Sequence, residues 1–425
     1  KNKIEIEEYE LKKIFLIMLI SLVYCSFFTN NIYAMTPVEI TNNSKEQLDE
    51  GLNPRGAVVT TTNGQILYKY HKDKKVDPAS TTKLMTMLVI YEDINHSKMS
   101  LKDKVKISER YEKMSQLPNL TTFPLKKGQT YTIEQLLKQA ALNSSNAATL
   151  VLAEHIDGDI SKFTDRMNRE AQLLGMNQTH FTNPSGADNK IIKPYEPKKY
   201  KDETRSYTTA NDMAILTNHL LRKYPNILKM TQLETDTQYN QQLHNTNLSL
   251  PHQSLGMKNV DGLKTGTSKE GYNLALTAKK DQLRVNTNLF NIQPYPSEKA
   301  KFARHKVANA LTQNAFKNYT YRKVISKGVH QIDGKTYNVK KDLYDVVPKG
   351  MNKKDYKFIV KDGSIHLDYN RQFLTKDDGP PKVEVTKPLL HKANTIAQTT
   401  WKEHPVVTFV ALALLAIAFI LMVRS

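Results

Sequence analysis

One cysteine, Cys25, stands in a chain of 425 residues. It falls in an apolar segment near the N-terminus, so the body of the protein has no disulfide, no thiolate nucleophile and no cysteine-ligated metal. Tyr24 before it is too large for the small residue that lipoprotein processing requires there. The 12 histidines include no His-Glu-x-x-His pair or comparable spacing, so no metal and no other cofactor is expected. Internal repeats and low-complexity tracts are absent too. Acidic residues are outnumbered, and the formal net charge is +19.

Long hydrophobic runs occur only at the two ends. Lys12 and Lys13 precede the apolar run Ile14 to Phe28, and a polar stretch follows, ending Ile32-Tyr33-Ala34. This reads as a signal peptide over residues 1–34 with an exported mature chain, and a retained N-terminal anchor is the alternative. Val406 to Val423 is an almost unbroken apolar stretch, with only Arg424 and Ser425 after it. It predicts a C-terminal transmembrane helix over 406–423, with Trp401 at the interface and Arg424 on the inner side. That places the body at the extracytoplasmic face of the cell membrane. An exported basic surface suits anionic lipid and cell-wall polyanions, or serves solubility alone, and nucleic acid is not an expected partner.

The length favours two folded units with appendages, and 39% apolar residues can fill real cores. From Gly51 to about Ala315 helical and strand-like patterns alternate, which predicts an α/β domain, placed at 45–317. Asn63-Gly64 marks a hairpin, and the apolar run Leu84 to Tyr91 reads as a largely buried helix behind the helix-start signal Asp77-Pro78-Ala79-Ser80. Further helices are expected around Ile133–Asn143, Ala147–Ile156, Ser161–Gly175, Thr209–Lys223 and Glu298–Phe316. Strands return between Lys258 and Phe290, with a turn at Lys279-Lys280-Asp281. Short β-like runs broken at Asp333-Gly334 and Asp362-Gly363 predict a small β-rich domain over 318–385, followed by an amphipathic stalk over 386–404.

Three short motifs carry chemistry. Ser80-Thr81-Thr82-Lys83 puts a hydroxyl and an amine at i and i+3 near a helix start, on one face. A serine nucleophile needs such a base, provided burial and a second cation depress the lysine pKa. Ser144-Ser145-Asn146, between two predicted helices, offers a proton-relaying hydroxyl and an amide that can hold a peptide bond, though the triplet equally suits a helix N-cap. Lys264-Thr265-Gly266-Thr267-Ser268 closes a strand, where a cation, hydroxyls and a glycine can take a substrate carboxylate and its backbone. Each motif alone is weak. Their order, at separations of about 60 and about 120 residues, is the set that defines serine acyl-transferases acted on by penicillin.

With these motifs the chain resembles the low-molecular-mass penicillin-binding proteins of the D-alanyl-D-alanine carboxypeptidase family, nearest to staphylococcal-type members. Pro78–Thr86, Asn143–Ala148, Thr179–Gly186, Tyr207–Ala210 and Asp261–Gly266 all look like family segments. The resemblance implies a transpeptidase/β-lactamase-like domain, peptidoglycan stem peptides as substrate and β-lactam antibiotics as inhibitors. It further implies Ser80 as nucleophile, Lys83 as its base and Ser144 as proton relay. Asn146, Lys264, Thr265, Gly266 and Thr267 would bind substrate, with the oxyanion held by the Ser80 and Thr267 backbone N–H groups. Arg205 falls where members carry a basic residue facing the cleft, or is a solvated surface arginine. His180 and Asn183 are expected to pack their loop.

Three rivals stay open. A β-lactamase would need a deacylating glutamate, and Glu154, Glu170 and Glu196 lack that class's Glu-x-x-Leu-Asn setting. Transpeptidation uses the same residues as carboxypeptidase action. A silent penicillin-binding scaffold would be expected to have lost the serine or a lysine.

Overall fold

The computed structural model of the protein describes residues 35–44 and 46–387. Five long strands build the central sheet: β1 (Gly56–Thr61), β2 (Gln65–Tyr70), β3 (Val260–Ser268), β4 (Gly271–Lys280) and β5 (Leu283–Ile292). All neighbours are antiparallel, in the order β2-β1-β5-β4-β3, and the short strand Gln372–Phe373 adds to the outer edge of β2. First and last parts of the domain thus share one sheet. Asn63-Gly64 closes the β1–β2 hairpin with Gly64 at φ +86°, and Asp281 at φ +53° turns β4 into β5.

The sheet is covered on both faces, which explains why β1 is buried along its whole length. Side chains alternate: Val58, Ala275 and Phe290 join one core, whereas Ala57, Val59, Leu274, Leu276 and Leu289 join the other. On the second face lie α1 (Pro37–Asn42) and the C-terminal helix of the domain, Glu298–Asn318. The first face carries α2 (Lys83–Asn95), α3 (Asn146–Asp157), α4 (Ile160–Leu173) and α5 (Ala210–Lys223). Helix α2 is buried from Lys83 to Tyr91, which is why its sequence is apolar all round. Contrary to the helix-start reading, Ser80 lies in a 3₁₀ turn, Ala79–Thr82, and the α-helix begins at Lys83.

Beyond Asn318 the chain is β-rich. A five-stranded sheet runs from Gly328–Ile332 through Lys335–Val339, Val383–Thr386 and Ser364–Asp368 to Lys357–Lys361, beside a pair formed by Tyr319–Ile325 and Leu343–Pro348. Its core is small, centred on Val339, Leu343 and Ile365. It is tied to the central sheet by Gln65 Nε2, which donates to Tyr369 Oη at 2.7 Å, and by Arg371, which reaches both Gln65 and the buried Asp345.

The expected C-terminal membrane helix requires correction. Among the described residues no helix is long and apolar enough to cross a membrane. The longest, Glu298–Asn318, carries Glu298, Lys299, Lys301, Arg304, Lys306 and Lys317. Residues 406–423, the stalk beyond residue 387 and the expected signal at 1–34 lie outside the described residues. The single-pass anchor, and the membrane localisation built on it, are therefore not retained.

Candidate active site

The 3₁₀ turn that carries Ser80 is held from three sides. Asp77 Oδ1 accepts from the Ala79 backbone N–H at 2.8 Å, shaping the entry to the turn. From β4, Asn273 Nδ2 donates to the carbonyls of Asp77 and Pro78 at 2.8 and 3.1 Å, fixing the turn to the sheet. From the third side the loop Thr182–Gly186 presses in so closely that a Cβ on Gly186 would stand 1.9 Å from the Ala79 carbonyl oxygen. Only glycine, at φ +74°, fits there. Gly266 of β3 likewise faces the Pro78 carbonyl, 2.9 Å from where its Cβ would be. Strand and serine turn are thus in direct contact.

Lys83 Nζ is fully buried and makes three contacts, to Ser80 Oγ at 3.0 Å, Asn146 Oδ1 at 2.7 Å and the Ser185 carbonyl at 2.7 Å. Burial, and then the positive charge of Lys264, push its pKa well below the usual lysine range. A neutral amine has two N–H groups and one lone pair. The carbonyl and the amide oxygen take the N–H groups, so the lone pair is left for the Ser80 hydroxyl.

Ser144 follows a π turn over Gln139–Asn143 and sits at φ +64°, nearly buried. This conformation lets the chain reverse before α3, whose N-cap is Ser145, accepting from Ala148 N. The middle residue of Ser144-Ser145-Asn146 is thus the cap, and Asn146 after it reaches Lys83. Asn146, expected to hold substrate, has a protein partner at each end of its amide: Oδ1 accepts from Lys83 and Nδ2 donates to the Thr121 carbonyl at 2.8 Å.

Lys264 is buried on β3, and its Nζ donates to the Thr265 carbonyl at 3.2 Å. Burial, followed by the nearby Arg304 guanidinium, lowers its pKa to about 7. Thr265 Oγ1 bonds Thr246 Oγ1 at 2.6 Å, and Thr267 is exposed at the strand edge. Arg304, on the helix behind the strand, was not singled out from sequence because no motif surrounds it. Its Nη1 donates to the Gly266 carbonyl and Thr267 Oγ1, and its Nε to His305, whose burial keeps the imidazole neutral. Among the described residues no carboxylate pairs with Arg304. Arg304 and Lys264 thus place positive charge beside the neutral Lys83 and the serine, a field suited to an anionic substrate.

Arg205 is not part of this group. It pairs with Glu270 at 2.5 Å and lies 3.5 Å from Asp188, at the rim. His180 binds Glu203 at 2.6 Å, and Asn183 Oδ1 accepts from Ser185 and Gly186, so both pack their loop. No glutamate touches Ser80 or Lys83 among the described residues. Glu154 pairs with Arg110, and Glu170 faces Glu92.

Residues 44–293 match the family described as D-alanyl-D-alanine carboxypeptidase, peptidase family S11. The chain belongs to that family. Residues 321–386 match a domain of unknown function. D-alanyl-D-alanine carboxypeptidase DacF of Bacillus subtilis is 34% identical over 233 residues, 53% of this chain and 54% of the relative. DacA of Haemophilus influenzae is 27% identical over 324 residues, 72% of this chain and 76% of that one. Among solved structures, the peptidoglycan synthesis regulatory factor (PBP3) of Streptococcus pneumoniae superposes with a TM-score of 0.69 at 23% identity, over 79% of this chain and 99% of its own. Penicillin-binding protein D2 of Listeria monocytogenes in its cefotaxime-bound form gives 0.53 at 26% identity, over 64% and 99%. The fold is thus that of low-molecular-mass penicillin-binding proteins, and the family is one of serine peptidases.

Proposed function

We propose that this chain is a serine D-alanyl-D-alanine carboxypeptidase acting on peptidoglycan stem peptides, with Ser80 as nucleophile and Lys83 as its base. The observation that carries the reading is the contact set of Lys83, a buried amine of depressed pKa whose lone pair is left to the Ser80 hydroxyl. Ser80 Oγ attacks the penultimate D-alanine carbonyl and its proton passes to Lys83. The new C–O bond forms, the C–N bond breaks, and the proton is handed through Ser144 to the leaving D-alanine nitrogen. Water then cleaves the ester. Lys264, with Thr265 and Thr267, takes the terminal carboxylate under the field of Arg304, and the Ser80 and Thr267 N–H groups receive the oxyanion. Asn146 positions Lys83, and Gly266 keeps the strand close to the serine turn. β-Lactams acylate the same serine. The unit over 45–317 carries the chemistry, and the β-rich unit over 318–385 buttresses it through Gln65 and Arg371.

Incubating the protein with a stem pentapeptide, with and without an acceptor amine, tests the reaction. Free D-alanine and a stem shortened by one residue are expected. Cross-linked product in its place would make the chain a transpeptidase, and neither product would overturn the enzymatic reading.

A further inference from the structure

Away from the cleft, three helices bring three donor side chains to one point. Glu92 lies near the end of α2, Glu170 in α4 and His219 in α5, each half-buried. One carboxylate oxygen from each glutamate and one ring nitrogen lie within 4.8 Å of one another. Roughly 13 Å of helix separates Glu92 from Lys83, so the cluster is remote from the serine. None of the sequence motifs touches it, because its members are far apart in the chain.

The surrounding charges leave the cluster without a dedicated cation. Arg166 on α4 is engaged by Asp93 at 2.6 Å and Asp157 at 2.7 Å. Arg169 lies on the Glu170 side, Arg222 and Lys223 on the His219 side, and Tyr224 beside both carboxyls. Among the described residues no hydrogen bond engages the His219 ring, so its lone pair has no protein donor. Two carboxylates and an imidazole from three separate elements are a borderline-hard donor set, suited to zinc, cobalt or manganese rather than magnesium or calcium.

We propose that Glu92, Glu170 and His219 form a binding site for one divalent transition-metal ion, best matched by zinc, which ties the far end of α2 to α4 and α5. Zinc bonds of about 2.1 Å put tetrahedral ligands about 3.4 Å apart, so donors at the 4.8 Å limit need to close by about 1.4 Å. Water completes the shell. The ion is structural: it pins the lobe that carries Ser80 and Lys83 at its opposite end.

The test uses the whole chain, stripped with a chelator and titrated with Zn²⁺ by calorimetry, and with Co²⁺ by visible absorption. One ion per chain, a melting temperature that rises with added zinc, and a cobalt d–d band of low-coordinate intensity are expected. Glu170→Gln and His219→Gln should each weaken zinc binding at least tenfold while fluorescent-penicillin labelling of Ser80 persists. Absence of stoichiometric zinc binding or of the cobalt band in the parent chain overturns the proposal without recourse to any variant. Binding that survives both substitutions overturns it as well, since the ion then sits elsewhere.

Discussion

Gly186→Ala probes the mechanical basis of the site. A Cβ there would stand 1.9 Å from the Ala79 carbonyl oxygen and 2.6 Å from Thr82 Oγ1, whereas ordinary contacts begin at 3.4 Å. The loop or the serine turn has to move by more than an ångström. The left-handed backbone costs about 1–2 kcal/mol for a residue with a side chain, and overpacking about 1–3 kcal/mol more. A net loss of roughly 2–5 kcal/mol lowers the melting temperature by several degrees or more, at about 2–4 °C per kcal/mol or slightly less for a chain this long. The chemical effect should be larger. The same loop supplies the Ser185 carbonyl that orients Lys83, and misplacing a reacting group by an ångström costs on the order of 10²-fold in rate. Acylation by a fluorescent penicillin, followed by stopped-time gels beside a thermal melt, reads both. Parental acylation and an unchanged melt would refute the idea that this contact positions the serine.

Acylation should have a bell-shaped pH profile displaced toward neutrality. Lys83 must be neutral, so the rate rises through its depressed pKa, and Lys264 must be charged, so it falls through about 7 in the free enzyme. A rate still climbing at strongly alkaline pH would contradict the requirement for a charged Lys264. Arg304→Met removes the cation that holds Lys264 down, so the falling limb moves to higher pH while substrate KM rises, both measurable in a steady-state D-alanine assay. Arg371→Met strands Asp345, whose carboxyl is completely buried against that guanidinium at 2.9 Å. Burial already raises the Asp345 pKa despite the arginine, and removing one partner of such a pair costs about 3–5 kcal/mol by denaturant unfolding.

Local signals made much of the fold legible. Asn63-Gly64, Asp333-Gly334 and Asp362-Gly363 all turn with positive φ between paired strands, because their chemistry acts over two residues. The helices expected from Ser161, Thr209 and Glu298 are found within a residue of those starts, and each presents a cap there. The three motifs likewise meet in space. What stayed hidden depends on long-range approach. Ser185 offers a backbone carbonyl, which no side-chain pattern encodes. Arg304 acts through the strand in front of it, and Asn146 turned out to serve Lys83 because Thr121 claims its other end. The 3₁₀ turn under Ser80 follows from Asn273 and Gly186, residues distant in sequence.

The most direct test of the account is to trap the acyl-enzyme formed with a D-alanyl-D-alanine peptide at low pH, digest it and locate the adduct by mass. The account predicts a single ester on the peptide containing Ser80, free D-alanine in equal amount, and neither in Ser80→Ala. An adduct on another residue, or D-alanine release that survives Ser80→Ala, would contradict it.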